Sequence, residues 1–240
     1  MPVFRLTDDV AFPPVHLAEP TGLLAVGGDL GVERLLLAYR SGIFPWYSDE
    51  QPILWWSPDP RFVLFPAKLR VSHSMRQVTN GGRFRATFNR DFAGVIGRCR
   101  KSKRRDQDGT WITCDMLDAY VRLHAAGHAH SVEVWEGEAL VGGLYGVAVG
   151  GCFSGESMFT LAPNASKFAL VELVRRAGEL GIRLIDCQVR TRHLASLGAE
   201  EIPRAEYLRK LKDALGMRAS WPVALLEGIA PRSAGETIRR

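Results

Sequence analysis

The chain has 240 residues, of which 46% are hydrophobic and 24% charged, with a formal net charge of +5. That composition is ordinary for a soluble globular protein and supplies a core that folds without disulfides or a structural metal. The opening MPVFRLTDDV lacks the basic and apolar regions of a secretory signal, and the longest apolar stretch, 139–153, is broken by glycines and too short to span a bilayer, so a cytoplasmic protein without a membrane partner is expected.

From the N-terminus, residues 31–41 read as a helix with an apolar face of Leu35, Leu36 and Tyr39, Asp29 as its cap, and Gly42 and Pro45 as its stop. The next 25 residues, GIFPWYSDEQPILWWSPDPRFVLFP, hold three tryptophans and five prolines. Proline limits this block to short strands at 53–56 and 61–65. Its tryptophans either pack a joint between subdomains or form an aromatic wall for a base or an apolar side chain. A short helix at 72–78, a strand at 83–88, and a helix carrying Phe92, Val95 and Ile96 behind an Asn89 cap follow. Arg98-Cys-Arg-Lys-Ser-Lys-Arg-Arg105 then places six cations (Arg98, Arg100, Lys101, Lys103, Arg104, Arg105) in eight residues. Such a run is either a solvated loop or a patch for a polyanion.

Thr113 or Asp115 opens a helix with Met116, Tyr120 and Leu123 on one face and Gly127 past its end. Beyond Ser131 the period changes to that of strands: SVEVW, a tight EGE turn, ALVGGLYGVAVG and CFSGESMF read as an antiparallel meander. Its many glycines predict bulges or close backbone approach. Asn164 caps a long amphipathic helix ending at Gly181, a buried strand spans 183–187, a small LASLGAEEIP element follows, and a last helix covers 205–215. The tail from Pro231 is polar and is expected to fray.

Four scattered cysteines and six histidines show no metal-ligand spacing, so no metal is expected. Asp186 and Gln188 end the buried strand and, with a period of two, should project together into a cavity. They are either structural groups at the sheet edge or a reactive pair. Glu156, between large apolar residues, is either paired structurally or free to hold a cationic group, since a lone buried carboxylate takes up a proton.

Meander, helix, strand and L-G-A turn follow the order of a GNAT-type acyltransferase core. The expected architecture is α/β: a small N-terminal α/β domain at 1–65 and a GNAT-like domain at 66–240 with a mixed, mainly antiparallel sheet. A coenzyme A enzyme of that class needs a glycine-rich turn for the pyrophosphate, whereas Leu161-Ala-Pro-Asn-Ala-Ser-Lys167 holds a proline and no glycine.

Several segments, from GLLAVGGDL through GIFPWYS, PILWWSPDPR, GTWIT, GHAHSVEVW, LVGGLYGV, GESMF, NASK and LIDCQ to ASLGAEEIPR, resemble in order the bacterial leucyl/phenylalanyl-tRNA–protein transferases, over about residues 22–204. The resemblance implies an enzyme moving leucine or phenylalanine, and possibly methionine, from aminoacyl-tRNA to a protein beginning with Arg or Lys, which is then degraded. It implies no cofactor, and the enzyme is read as a monomer. Asp186 and Gln188 match a motif in which the aspartate polarises the glutamine and helps the amine lose its proton; a neutral amide is a poor base, which favours an orienting pair with the tRNA 2′-hydroxyl relaying protons. Glu156 matches a position close to the reacting ester. Leu144, Phe153, Ser154, Leu170, Leu173 and Ile185 match the donor side-chain pocket, with leucine at 144 and 173 where members often carry methionine and phenylalanine. Trp46 and Trp111 match aromatic residues near the terminal adenosine.

Two departures from the family pattern stand out. On the helix matching 73–78, where tRNA is held, only Arg76 carries a fixed charge, so the Arg98–Arg105 run is expected to supply the rest. Thr191 stands where other members often have asparagine. The competing expectations are a coenzyme A-dependent N-acetyltransferase and a non-catalytic tRNA-binding protein.

Overall fold

A computed structural model describes residues 3–102 and 112–221. Lys103, Arg104, Arg105, Trp111 and the tail from Pro231 lie outside the described residues. The N-terminal portion forms a four-stranded sheet of β1 (Phe4–Leu6), β2 (Leu23–Gly27), β3 (Phe44–Pro45) and β4 (Leu54–Trp56), in the order β1-β2-β4-β3. Helix α1 (Val32–Arg40) connects β2 to β3 and buries Leu35, Leu36 and Tyr39, the face expected from their spacing. Asp29 does not cap it through a side chain; its carboxylate accepts from Gly31 N at 2.6 Å and pairs with the buried Arg34.

The chain passes to a second, seven-stranded sheet at β5 (Arg61–Leu64). Helix α2 (His73–Asn80) follows, capped by Ser72. Strand β6 (Arg85–Phe88) leads to α3 (Phe92–Lys101), whose cap is Asp91 and not Asn89. Asn89 instead takes a left-handed φ of 58° and its side chain accepts from Ser131 N. Thr113 caps α4 (Cys114–Ala125), which buries Met116, Tyr120 and Leu123.

The expected meander is β7 (Ala129–Glu136), β8 (Ala139–Val149) and β9 (Cys152–Thr160), paired antiparallel. Its glycines have two kinds of duty. At Gly142 a Cβ would stand 2.5 Å from the Ala165 Cβ of the covering helix, and Gly146 sits at a register shift against β9. Helix α5 (Ala165–Arg175) breaks at Arg176, and α6 (Ala177–Leu180) completes the expected span, with Gly181 left-handed at its end. Asn164 precedes α5 in a left-handed conformation without a side-chain cap.

Strand β10 (Leu184–Gln188) then lies parallel to β9 and antiparallel to β5. The chain closes with α7 (Arg192–Ser196), β11 (Glu200–Ile202) and α8 (Arg204–Leu215). The large sheet runs β11-β5-β10-β9-β8-β7-β6, mixed and mainly antiparallel, in an α/β fold. The connection from β9 through α5 to β10 is a helical crossover between parallel neighbours. Two apolar clusters flank it, one containing Tyr39, Tyr120 and Tyr207, the other Phe153, Leu170, Leu173 and Ile185. Among the described residues no helix is long and apolar enough to cross a membrane, and no group of His, Cys, Asp or Glu could hold a metal ion.

Candidate active site

The parallel edge of β9 and β10 brings together the residues that the sequence singled out. Asp186 lies opposite Ser154 in register and is completely buried. Its carboxylate accepts from Arg61 Nε at 2.8 Å and Nη2 at 2.6 Å, from the Tyr207 hydroxyl at 2.9 Å, and from the backbone N–H of Gln188 at 2.9 Å. Arg61 donates its remaining terminal nitrogen to Gly42 O and lies between the rings of Phe44 and Tyr207, 4.7 and 4.6 Å from their centroids. Burial pushes the Tyr207 phenol well above its ordinary value, and the Asp186 charge adds to that rise. Tyr207 therefore remains a donor.

Between Asp186 and Gln188 the strand is irregular. The register against β5 shifts there, and Gln188 adopts a φ of 63°, the left-handed region. The alternation that would send both side chains into one cavity is interrupted. Asp186 turns to Arg61, while the Gln188 amide turns to Glu156 and donates to its Oε1 at 2.8 Å.

Glu156 is 7% exposed. Its other oxygen accepts from the Tyr120 hydroxyl at 3.0 Å, and Tyr120 in turn hydrogen-bonds the Tyr39 hydroxyl. Burial pushes the Glu156 carboxyl up to about 7; the hydroxyls of Tyr39 and Tyr120 and the Gln188 amide pull it down, and the Asp186 charge pushes it further up.

Gln188 and Glu156 form the polar wall of a cavity of about 330 Å³. Leu144, Phe153, Leu170 and Ile185 line it, joined by Met158 from β9. Ser154 and Leu173 are buried outside its lining, Ser154 directing its hydroxyl toward Asp186 at 3.5 Å. Phe44, Pro45 and Trp46 bring the aromatic-proline block to the same cavity, and Trp46 is tilted against Trp56 at 5.9 Å. Trp55 belongs to the core instead, fully buried with its N–H on Gly27 O. The tryptophans thus divide between packing and cavity.

Thr191 also lines the cavity, with its hydroxyl accepting from Leu194 N at 3.2 Å as the cap of α7. Arg76 is exposed on α2, and Arg98, Arg100 and Lys101 end α3, where basic residues favour the helix dipole.

Sequence reasoning missed four contributors. Tyr39 and Tyr120 passed as members of apolar helix faces, and Arg61 as a strand residue. The signal for Arg61 was a cation inside the apolar run RFVLF, which demands a buried anion. His193 is the fourth: it lines the cavity, its Nε2 is buried without a hydrogen-bond partner among the described residues, and burial and Lys167 lower its pKa, so the ring is neutral near pH 7.

An apolar cavity ending on a hydrogen-bonded amide and carboxyl suits an apolar acyl group and an amine. Residues 63–212 match the family model for leucyl/phenylalanyl-tRNA protein transferase, and residues 28–59 match that family's N-terminal domain. The gap between the two matches falls where the chain crosses from the small sheet to the large one. A leucyl/phenylalanyl-tRNA–protein transferase of Anaeromyxobacter sp. (strain Fw109-5) is 58% identical over 224 residues, 92% of this chain and 95% of the relative. One from Syntrophobacter fumaroxidans is 60% identical over 213 residues, 89% of this chain and 91% of the relative. Among solved structures, a GCN5-related N-acetyltransferase from Kribbella flavida aligns with a TM-score of 0.38 at 13% identity, over 68% of this chain and 58% of that one, too distant to bear on function. On the family-model matches and the near-full-length relatives, the chain belongs to the leucyl/phenylalanyl-tRNA–protein transferases, a family of aminoacyltransferases.

Proposed function

We propose that this enzyme takes leucine or phenylalanine, esterified to the terminal adenosine of its tRNA, and joins it to the α-amino group of a protein that begins with Arg or Lys. The extended protein then carries an N-terminus that directs its degradation. The observation that carries the donor part is the cavity itself, with Leu144, Phe153, Met158, Leu170 and Ile185 around a space of about 330 Å³ that Gln188 and Glu156 also line. A leucine or phenylalanine side chain buried there leaves its ester carbonyl beside Gln188 and Glu156. Trp46, partly exposed at the same cavity, offers a ring on which the adenine can stack.

The amine must lose a proton before it attacks, because an α-ammonium has a pKa of about 8. Gln188 gives its N–H to Glu156, so its amide oxygen is the group it can offer to the ammonium. That oxygen orients the amine and does not deprotonate it. The α-ammonium gives its first proton to solvent; the neutral nitrogen then adds to the ester carbonyl, the C–O bond to the ribose 3′-oxygen breaks, and the second proton, shed by the nitrogen of the adduct, reaches that oxygen through the neighbouring 2′-hydroxyl. Glu156, titrating near 7, supplies negative charge that draws the cationic acceptor in. Asp186 acts at one remove: it fixes Arg61, Tyr207 and the backbone N–H of Gln188 and so sets where the amide stands.

The test mixes the protein with radiolabelled Leu-tRNA or Phe-tRNA and a peptide beginning with Arg. A peptide lengthened by one residue is expected with both donors, and no product with either would overturn the reading.

A further inference from the structure

Behind the cavity wall runs a continuous buried hydrogen-bond chain that the transfer chemistry does not by itself require. Gln188 Nε2 donates to Glu156 Oε1 at 2.8 Å, the Tyr120 hydroxyl donates to Glu156 Oε2 at 3.0 Å, and Tyr39 meets Tyr120 hydroxyl to hydroxyl. Tyr120 has spent its proton on Glu156, which leaves Tyr39 to donate to Tyr120. Both tyrosines are 1% exposed or less. They come from different parts of the fold: Tyr120 from α4, against the large sheet, and Tyr39 from α1, beside the small N-terminal sheet. An apolar phenyl would fill either place equally well, so the hydroxyls are there for Glu156.

We propose that Tyr120, itself oriented by Tyr39, is a positioning residue for the transfer reaction: it holds Glu156 in the rotamer that turns the Gln188 amide toward the incoming amine. This inference rests on the proposed function. The carboxylate has two directions to satisfy, and with only Gln188 as partner it could rotate about its last two torsions. Tyr120 fixes the second oxygen, and a fixed Glu156 fixes Gln188, whose oxygen would otherwise exchange places with its nitrogen. Tyr39 removes the same rotational freedom from Tyr120. Through these two hydroxyls the N-terminal portion of the chain, which also delivers Phe44, Pro45 and Trp46 to the cavity, reaches the reactive amide.

The arrangement also governs ionisation. The groups acting on Glu156 are Tyr39 from α1, Tyr120 from α4, and Asp186 and Gln188 from β10, while Tyr145 from β8 acts on Tyr120. Burial raises the Glu156 pKa, and the tyrosine hydroxyls oppose that rise. Removing a hydroxyl lets the pKa climb further, so the ionised form appears only at higher pH.

The experiment compares the native chain with Tyr120→Phe and Tyr39→Phe in Phe-tRNA transfer to an Arg-starting peptide, from pH 5.5 to 9, with thermal unfolding of each. Tyr120→Phe is expected to lower kcat at least tenfold at pH 7, to move the acidic limb of the kcat profile upward by about one pH unit, and to leave the KM for Phe-tRNA within twofold. Tyr39→Phe is expected to move the limb the same way by less. A native kcat and limb in both variants would overturn the proposal. So would a lower kcat with an unmoved limb, which is what a packing role alone gives. If Tyr120→Phe does not fold, Tyr39→Phe decides by the same limb. Absence of transfer by the native chain would instead sink the functional reading.

Discussion

The Arg61 guanidinium meets the Asp186 carboxylate through two hydrogen bonds, 2.8 and 2.6 Å, with each side chain 1% exposed. A pair so enclosed is costly to break, because the partner left behind is a buried charge; losses of about 3–5 kcal/mol are typical. Arg61→Met is therefore expected to lower the free energy of unfolding in urea by that amount and to abolish transfer. Asp186→Asn should destabilise too. An Arg61→Met chain as stable as the native one would show that the carboxylate does not need its partner.

Glu156 gives stability a pH dependence of a definite sign. Its pKa is raised from 4.5 to about 7 in the fold, so between those values the folded chain holds a proton that the unfolded chain has released. The contribution is complete below pH 4.5 and is lost as pH rises through 7; its full size is on the order of 3 kcal/mol. Glu156→Gln keeps an acceptor for Gln188 and puts an amide N–H where the native carboxyl accepts from Tyr120, so that Tyr120 has to turn its hydroxyl and accept. It is expected to flatten the fall in unfolding free energy between pH 5 and 8, measured by denaturant titration at each pH. An unchanged slope would assign the dependence to another group.

Leu144 sets the volume available to the donor side chain. Leu144→Phe adds a ring to a cavity of about 330 Å³ and should exclude the larger donor first. Discrimination of about 1–3 kcal/mol is the usual scale for such changes, so kcat/KM with Phe-tRNA is expected to fall at least tenfold relative to Leu-tRNA. A ratio that stays put would mean the side chain of the donor lies elsewhere.

Arg98, Arg100 and Lys101 stand in the last turn of α3, and a tRNA-holding role for this basic run has its own test. Replacing all three with Ala should weaken binding of charged tRNA and reduce the slope of log K against log salt by about 2–3, each phosphate contact contributing about 0.7–0.9. Equilibrium binding at several salt concentrations measures it. A native slope would move the tRNA surface to other cations.

Much of this fold is legible in the sequence because burial leaves a period. Leu35, Leu36 and Tyr39 mark α1, Met116, Tyr120 and Leu123 mark α4, and the alternation after Ser131 marks the meander. Caps are less legible where two candidates stand together: Asn89 takes a left-handed turn and Asp91 accepts the helix N–H, a choice made by the contact with Ser131 across the sheet. The site is legible in its residues but not in its wiring. Periodicity says that Tyr120 is inside; it does not say that the hydroxyl lies against a carboxylate 36 positions away. Arg61 and Asp186 are 125 positions apart and meet only because β5 and β10 pair. Asp186 reads from spacing as a cavity residue beside Gln188; Ile185 and Cys187 take the cavity face instead, and the irregularity after Asp186, which spacing cannot show, brings Gln188 to the cavity without it.

The left-handed backbone at Gln188 has an evolutionary side. A glutamine at a φ of 63° costs about 1 kcal/mol or more, a strain that glycine alone escapes. Gln188→Gly would relax the backbone and remove the amide at the same stroke, so the change that eases the chain also silences it. Drift toward greater stability is thereby opposed at this one position by the need to keep an amide in the cavity.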